Sequence, residues 1–85
     1  MIRVTCIGHI STEMGAKEVG LDLSQAPAST IVDLLRLRAR IRDPGFTKFN
    51  TLVMVDDGEA FVPAAADRIV ADGQRVVLIP FSHGG

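Results

Sequence analysis

The stretch Arg75-Val76-Val77-Leu78-Ile79-Pro80-Phe81-Ser82-His83-Gly84-Gly85 constrains the fold of this chain more than any other. Its apolar run is dense in β-branched residues, which suits a strand buried on both faces in the middle of a sheet. Pro80 has no N–H to donate, so the ladder is expected to stop there. Beyond Phe81 no apolar side chain anchors the segment, and the two closing glycines add no packing and leave the backbone free. Residues 1–81 therefore read as one folded domain and residues 82–85 as a mobile tail.

Eighty-five residues make one small domain, which should bury about 60–65% of its unfolded surface. The hydrophobic content of 47% is ample for a single core. A net charge of -1 argues against a general nucleic-acid binder. No apolar run is long enough for a membrane span, and Met1-Ile2-Arg3-Val4 does not open a signal peptide. The expected compartment is the cytoplasm. One cysteine excludes a disulfide framework and a four-cysteine cluster or zinc site.

In chain order, Ile2, Val4 and Cys6 alternate with Arg3 and Thr5, the pattern of a strand with one face on the core. Cys6 is in phase with the apolar set and reads as a small buried hydrophobe. Gly8 to Gly15 reads as a hairpin loop in which His9 is solvated and binds no metal. A second strand follows, with Val19, Leu21 and Leu23 facing inward. Ser24 to Ala28 connects to a helix over Ile31–Ile41, capped by Ser29 or Thr30. Its inner face is expected to hold Ile31, Leu34, Leu35 and Ile41. Arg36, Arg38, Arg40 and Arg42 then mark a solvated helix end, where positive charge complements the helix dipole, and could also meet an acidic partner. Asp43-Pro44-Gly45 ends the helix, and Phe46 and Phe49 are expected to cover the core. Leu52 to Val55 is the third strand, Asp57-Gly58 a tight turn and Glu59 to Val62 a short fourth strand. Pro63 to Arg68 has room for one helical turn, and Asp72-Gly73 turns the chain into its last strand. This order, ββαβ(β)β, predicts an α+β fold, a β-grasp with a mixed sheet and one main helix packed on one face. A right-handed crossover through the helix sets the last strand parallel to the first, at the sheet centre.

Asp72-Gly73-Gln74-Arg75-Val76, followed by Pro80 and Gly84-Gly85, resembles the C-terminal signature of the ubiquitin-like sulfur carriers. These include the molybdopterin-synthase small subunit and the thiamine-pathway sulfur carrier. Their usual pattern is a D-G-D-x-V turn and strand, a proline and a closing Gly-Gly. This chain has Gln74 where an acidic residue is common, and Phe81-Ser82-His83 where small apolar residues are common. The resemblance implies a ubiquitin-like β-grasp and a carrier with no catalytic side chain and no cofactor. Its Gly85 carboxylate would be adenylated by an ATP-dependent partner similar to ubiquitin-activating enzymes and converted to a thiocarboxylate. A synthase subunit would then accept the sulfur in cofactor biosynthesis, the molybdopterin type being favoured by chain length and by the loop from Pro44 to Asn50. The same terminus would serve a protein modifier conjugated to lysines, and a non-covalent β-grasp adaptor is a third alternative.

The rest of the chain offers no competing chemistry. It has no phosphate-binding glycine loop, no nucleophile–base set and no paired-carboxylate motif, and Asp56-Asp57 is turn chemistry. A β-grasp ferredoxin would need more cysteines than Cys6. His83 reads as a spacer in the tail. Recognition is assigned to the exposed sheet face and to Ile79, Phe81, His83 and Gly84, with one of Ile79 and Phe81 expected to point away from the core.

Overall fold

The computed structural model describes residues 1–81. The chain runs β1 (Ile2–Cys6), α1 (His9–Met14), β2 (Glu18–Leu21), β3 (Gln25–Pro27), α2 (Ala28–Arg38), β4 (Thr51–Asp56), β5 (Phe61–Pro63), β6 (Ile69–Ala71) and β7 (Arg75–Pro80). Five strands form a mixed sheet in the order β2-β1-β7-β4-β5, and β3 pairs with β6 in a separate ribbon. β7 lies at the centre, parallel to β1 and antiparallel to β4, as the sequence predicts. Alternate residues of β1, β4 and β7 (Ile2, Val4, Cys6, Val53, Val55, Val76, Leu78) face one core, which α2 closes with Ala28, Ile31, Val32 and Leu35.

Between Gly8 and Gly15, where the sequence predicted a hairpin loop, lies the helix α1. α1 is too short to persist alone, so its stability has to come from tertiary packing. Ile10 and Met14, one turn apart, are both buried. The Ser11 hydroxyl donates to the Gly8 carbonyl at 2.8 Å. Gly15 closes the helix at φ 72°, its N–H reaching the carbonyls of Ser11 and Thr12. A Cβ there would collide with the Arg40 side chain, so glycine is required by both conformation and space.

α2 begins and ends earlier than predicted. Its first N–H groups are not capped by Ser29 or Thr30. Ala28 donates to the Arg68 carbonyl at 2.8 Å and Ser29 to the Ala66 carbonyl at 3.0 Å. Pairing of β3 with β6 brings those carbonyls to the helix start, and residues 64–68 form a turn rather than a helical one. At the other end the Arg40 amide donates to the Glu13 carbonyl at 2.8 Å, and Ala39 is extended. Ile41 therefore lies outside the helix and is exposed, Leu34 is only half-buried, and Val32 takes the buried place. Leu23 packs on the core from beyond the end of β2.

Two phenylalanines in the following loop part company. Phe46 is fully buried, whereas Phe49 is 82% exposed, contrary to expectation. The Phe46 backbone is gripped from two sides: Glu13 Oε1 accepts from the Gly45 amide at 2.7 Å and from the Phe46 amide at 3.4 Å, and Arg36 Nε donates to the Phe46 carbonyl at 2.9 Å. Burial pushes the Glu13 carboxyl up, but the hydrogen bonds from His9, Gly45 and Phe46 outweigh it and hold its pKa below the ordinary 4.5.

Phe46→Ala is expected to cost about 3–5 kcal/mol and Phe49→Ala less than about 0.5 kcal/mol, read from urea midpoints. A carboxylate with a depressed pKa stabilises the fold above its unfolded pKa and stops doing so as pH falls through the folded value. Glu13→Gln should therefore be less stable than the parent at neutral pH, with the difference shrinking below pH 4.5. A difference independent of pH would contradict the assignment.

Candidate functional site

The site is built on the central strand. Among the described residues both helices contribute to the core on one face of the sheet, and no helix covers the other face. Val77 and Ile79 of β7 are half-exposed there, so the expectation of burial on both faces is corrected: β7 is central within the sheet but covered on one side only. Register places Val77 beside Thr5 and Met54, and Ile79 beside Leu52. Pro63 and Phe61 of β5 continue this face, opposite Met54 and Asp56. The apolar stripe thus runs from β7 across β4 to β5, and none of these side chains is fully buried.

Ile79 lies on the open face with Val77, and Phe81 follows directly after the end of β7. Ile79 is half-buried and Phe81 is 62% exposed. β7 ends at Pro80, paired with Thr51, and the Phe81 amide makes one further bond to the Asn50 carbonyl at 3.3 Å. The chain therefore leaves the sheet beside the apolar stripe. Ser82, His83, Gly84 and Gly85 lie outside the described residues, as does the expectation that they are mobile.

The turn into β7 explains Gln74. Its Oε1 accepts from the Ala71 amide at 2.8 Å and its Nε2 donates to the Asp56 carbonyl at 3.1 Å. A carboxylate could accept the first bond but could not donate the second. Gln74 thus ties the β6–β7 turn to the end of β4. Asp56 and Asp57 cap their own turn, accepting from Gly58, Glu59 and Ala60 at 2.8–3.0 Å.

Among the described residues, Cys6 is buried and His9 has a partner. Cys6 is 3% exposed, and burial pushes its thiol up to about 11, so it is a core residue and not a thiolate. His9 is not merely solvated: its Nδ1 lies 2.9 Å from Glu13 Oε2. Among the described residues no three His, Cys, Asp or Glu side chains are placed to hold a metal ion. No helix of the described residues is long and apolar enough to cross a membrane.

No known family model and no curated protein sequence matches the chain. Among solved structures it is similar to the crystal structure of SAMP1 from Haloferax volcanii, with a TM-score of 0.69 over 99% of this chain and 98% of that one. The fold is a ubiquitin-like β-grasp. At 22% identity the likeness is one of fold. The match spans both chains almost end to end, so it takes in the α1 segment and the β3–β6 ribbon as well as the sheet.

The two faces of the β-grasp sheet should answer mutation differently. Leu78→Ala, on the core face, is expected to lower stability by about 2–5 kcal/mol. Phe81→Ala should change it by no more than about 0.5 kcal/mol. Chemical denaturation of the two variants checks this, and a large loss at Phe81 would assign that ring to the core.

Proposed function

We propose that this protein is a sulfur carrier whose reactive group is the C-terminal carboxylate of Gly85, not a side chain. The observation that carries the reading is the sequence pattern Asp72-Gly73-Gln74-Arg75-Val76, Pro80, Gly84-Gly85, of which Arg75 to Pro80 form the central strand of a β-grasp. The carboxylate is a poor acyl donor until a partner activates it. Its oxygen attacks the α-phosphorus of ATP, pyrophosphate leaves, and an acyl-adenylate remains. A sulfide equivalent supplied by the partner system then displaces AMP, so that a C–S bond replaces a C–O bond. The resulting thiocarboxylate delivers its sulfur to a synthase subunit, and cofactor biosynthesis of the molybdopterin type is the favoured destination. Glycine suits the reacting end, because a side chain there would obstruct close approach of the backbone to the nucleotide.

The activating enzyme docks on the open sheet face, with Phe81 and Ile79 beside the point where the tail begins. Exposed apolar side chains next to a reactive segment are of the kind that anchor interfaces. Gly84 and His83 lead Gly85 into the enzyme's channel.

Intact-mass analysis of the protein incubated with its activating enzyme, ATP and a sulfur donor should show one oxygen exchanged for one sulfur, mapped to the C-terminal peptide. Deleting Gly85 should abolish the change without altering the fold. Phe81→Ala should weaken binding to the enzyme by about tenfold or more. Isopeptide conjugates on lysines would instead establish a protein modifier. An unmodified terminus under both conditions would leave a non-covalent adaptor. The mass of the endogenous protein checks that Gly85 is the mature end.

A further inference from the structure

Charge in this molecule is segregated. From Asp33 to Lys48 the chain carries Arg36, Arg38, Arg40, Arg42 and Lys48 against Asp33 and Asp43, a surplus of three cations in a chain whose total is -1. Arg36, Arg38 and Arg40 have structural work. Arg36 holds the Phe46 carbonyl, Arg38 Nη1 donates to the Gly20 carbonyl at 2.9 Å, and the Arg40 side chain lies over Gly15. The hydrogen bonds of Arg36 and Arg38 go to backbone carbonyls, which hold these two guanidinium groups without neutralising them. Among the described residues no carboxylate lies within ion-pair distance of Arg36, Arg38, Arg40 or Arg42, and Asp33 is engaged by Lys48 at 3.7 Å. Arg42 makes no side-chain hydrogen bond among the described residues.

Apolar side chains stand among these cations. Leu37 is 83% exposed and Ile41 47% exposed. A recess of about 360 Å³ opens beside them, lined by Asp33, Arg36, Leu37, Arg42, Asp43 and Pro44. A lone exposed leucine is ordinary. A leucine beside a recess, with Arg36 held in place and neither Arg36 nor Arg42 in an ion pair among the described residues, matches a ligand with an apolar side chain flanked by carboxylates. A nucleic-acid strand suits it less, because closely spaced phosphates would meet Asp33 and Asp43, whereas a peptide can space its carboxylates around them.

We propose that this recess is a docking site for an acidic peptide segment of a partner protein. The segment seats an apolar side chain on Leu37 and Pro44 and sets carboxylates against Arg36 and Arg42. α2 packs on the core face of the sheet, so this site and the open sheet face belong to opposite layers and can be occupied together. The proposal does not depend on the chemistry of the tail.

The test is a titration of the isotope-labelled full chain with a synthetic Glu-Glu-Leu-Glu-Glu peptide, followed by amide chemical shifts. Perturbations are expected to concentrate in residues 33–45 and to weaken with added salt. Replacing the peptide's leucine by glycine, or Leu37→Ala in the protein, should reduce affinity by about fivefold or more. Arg42→Glu should reduce it by about tenfold or more while leaving the circular dichroism spectrum unchanged. Shifts scattered over the surface, or equal affinity for the leucine-free peptide, would overturn the proposal. Tighter binding of an oligouridylate of matched charge would overturn it too, as would concentration-dependent self-association through residues 33–45 in place of peptide binding.

Discussion

Everything in this fold depends on the parallel pairing of β1 with β7. Val4 sits beside Val76 and Cys6 beside Leu78, joining the two ends of the chain at the middle of the sheet. Such a pairing cannot be made by a tight turn, so it has to be reached by a crossover, and α2 supplies the crossover on the core side. Closing so long a loop costs entropy before any contact is gained, and the dense row of Val76, Leu78 and Val55 at the centre offsets it. Where the chain leaves the fold is set by β7's two neighbours, β1 holding it as far as Leu78 and β4 as far as Pro80.

A second constraint holds the crossover in shape. The loop after α2 lacks regular structure, yet it carries the largest fully buried side chain, Phe46. Its backbone is tied to α1 through Glu13 and to α2 through Arg36. α1 in turn is stabilised by burying Ile10 and Met14 and by the close approach of Gly15 to Arg40. These elements depend on one another, and each is marginal when considered alone.

The sheet was legible in the sequence because its signals are local: alternation in Ile2, Val4 and Cys6, the apolar run of β7, and the turn chemistry of Asp57-Gly58 and Asp72-Gly73. What escaped was set by partners distant in sequence. α1 hides behind Ser11, Thr12 and two glycines, and only the spacing of Ile10 and Met14 betrays it. The cap of α2 comes from the carbonyls of Ala66 and Arg68, and the β3–β6 ribbon that delivers them is three residues long on each side. Phe46 and Phe49 carry the same side chain three positions apart, and Glu13 and Arg36, distant in sequence, grip the backbone of the buried one. Of the candidate site, the tail pattern was legible directly. The apolar stripe was hidden because Val77 and Ile79 look like core residues until the sheet is seen to be covered on one face alone.

An apolar face left open beside the exit of the central strand is a feature that packing does not require, and under the proposed function it is where an enzyme that activates Gly85 docks. Exchange of labelled pyrophosphate into ATP, catalysed by that enzyme in the presence of this protein, tests the claim most directly. Exchange that requires the protein and disappears on deletion of Gly85, with Phe81→Ala raising the concentration needed for half-maximal rate, is the predicted result. Exchange that persists without Gly85, or none with the intact chain, would contradict it.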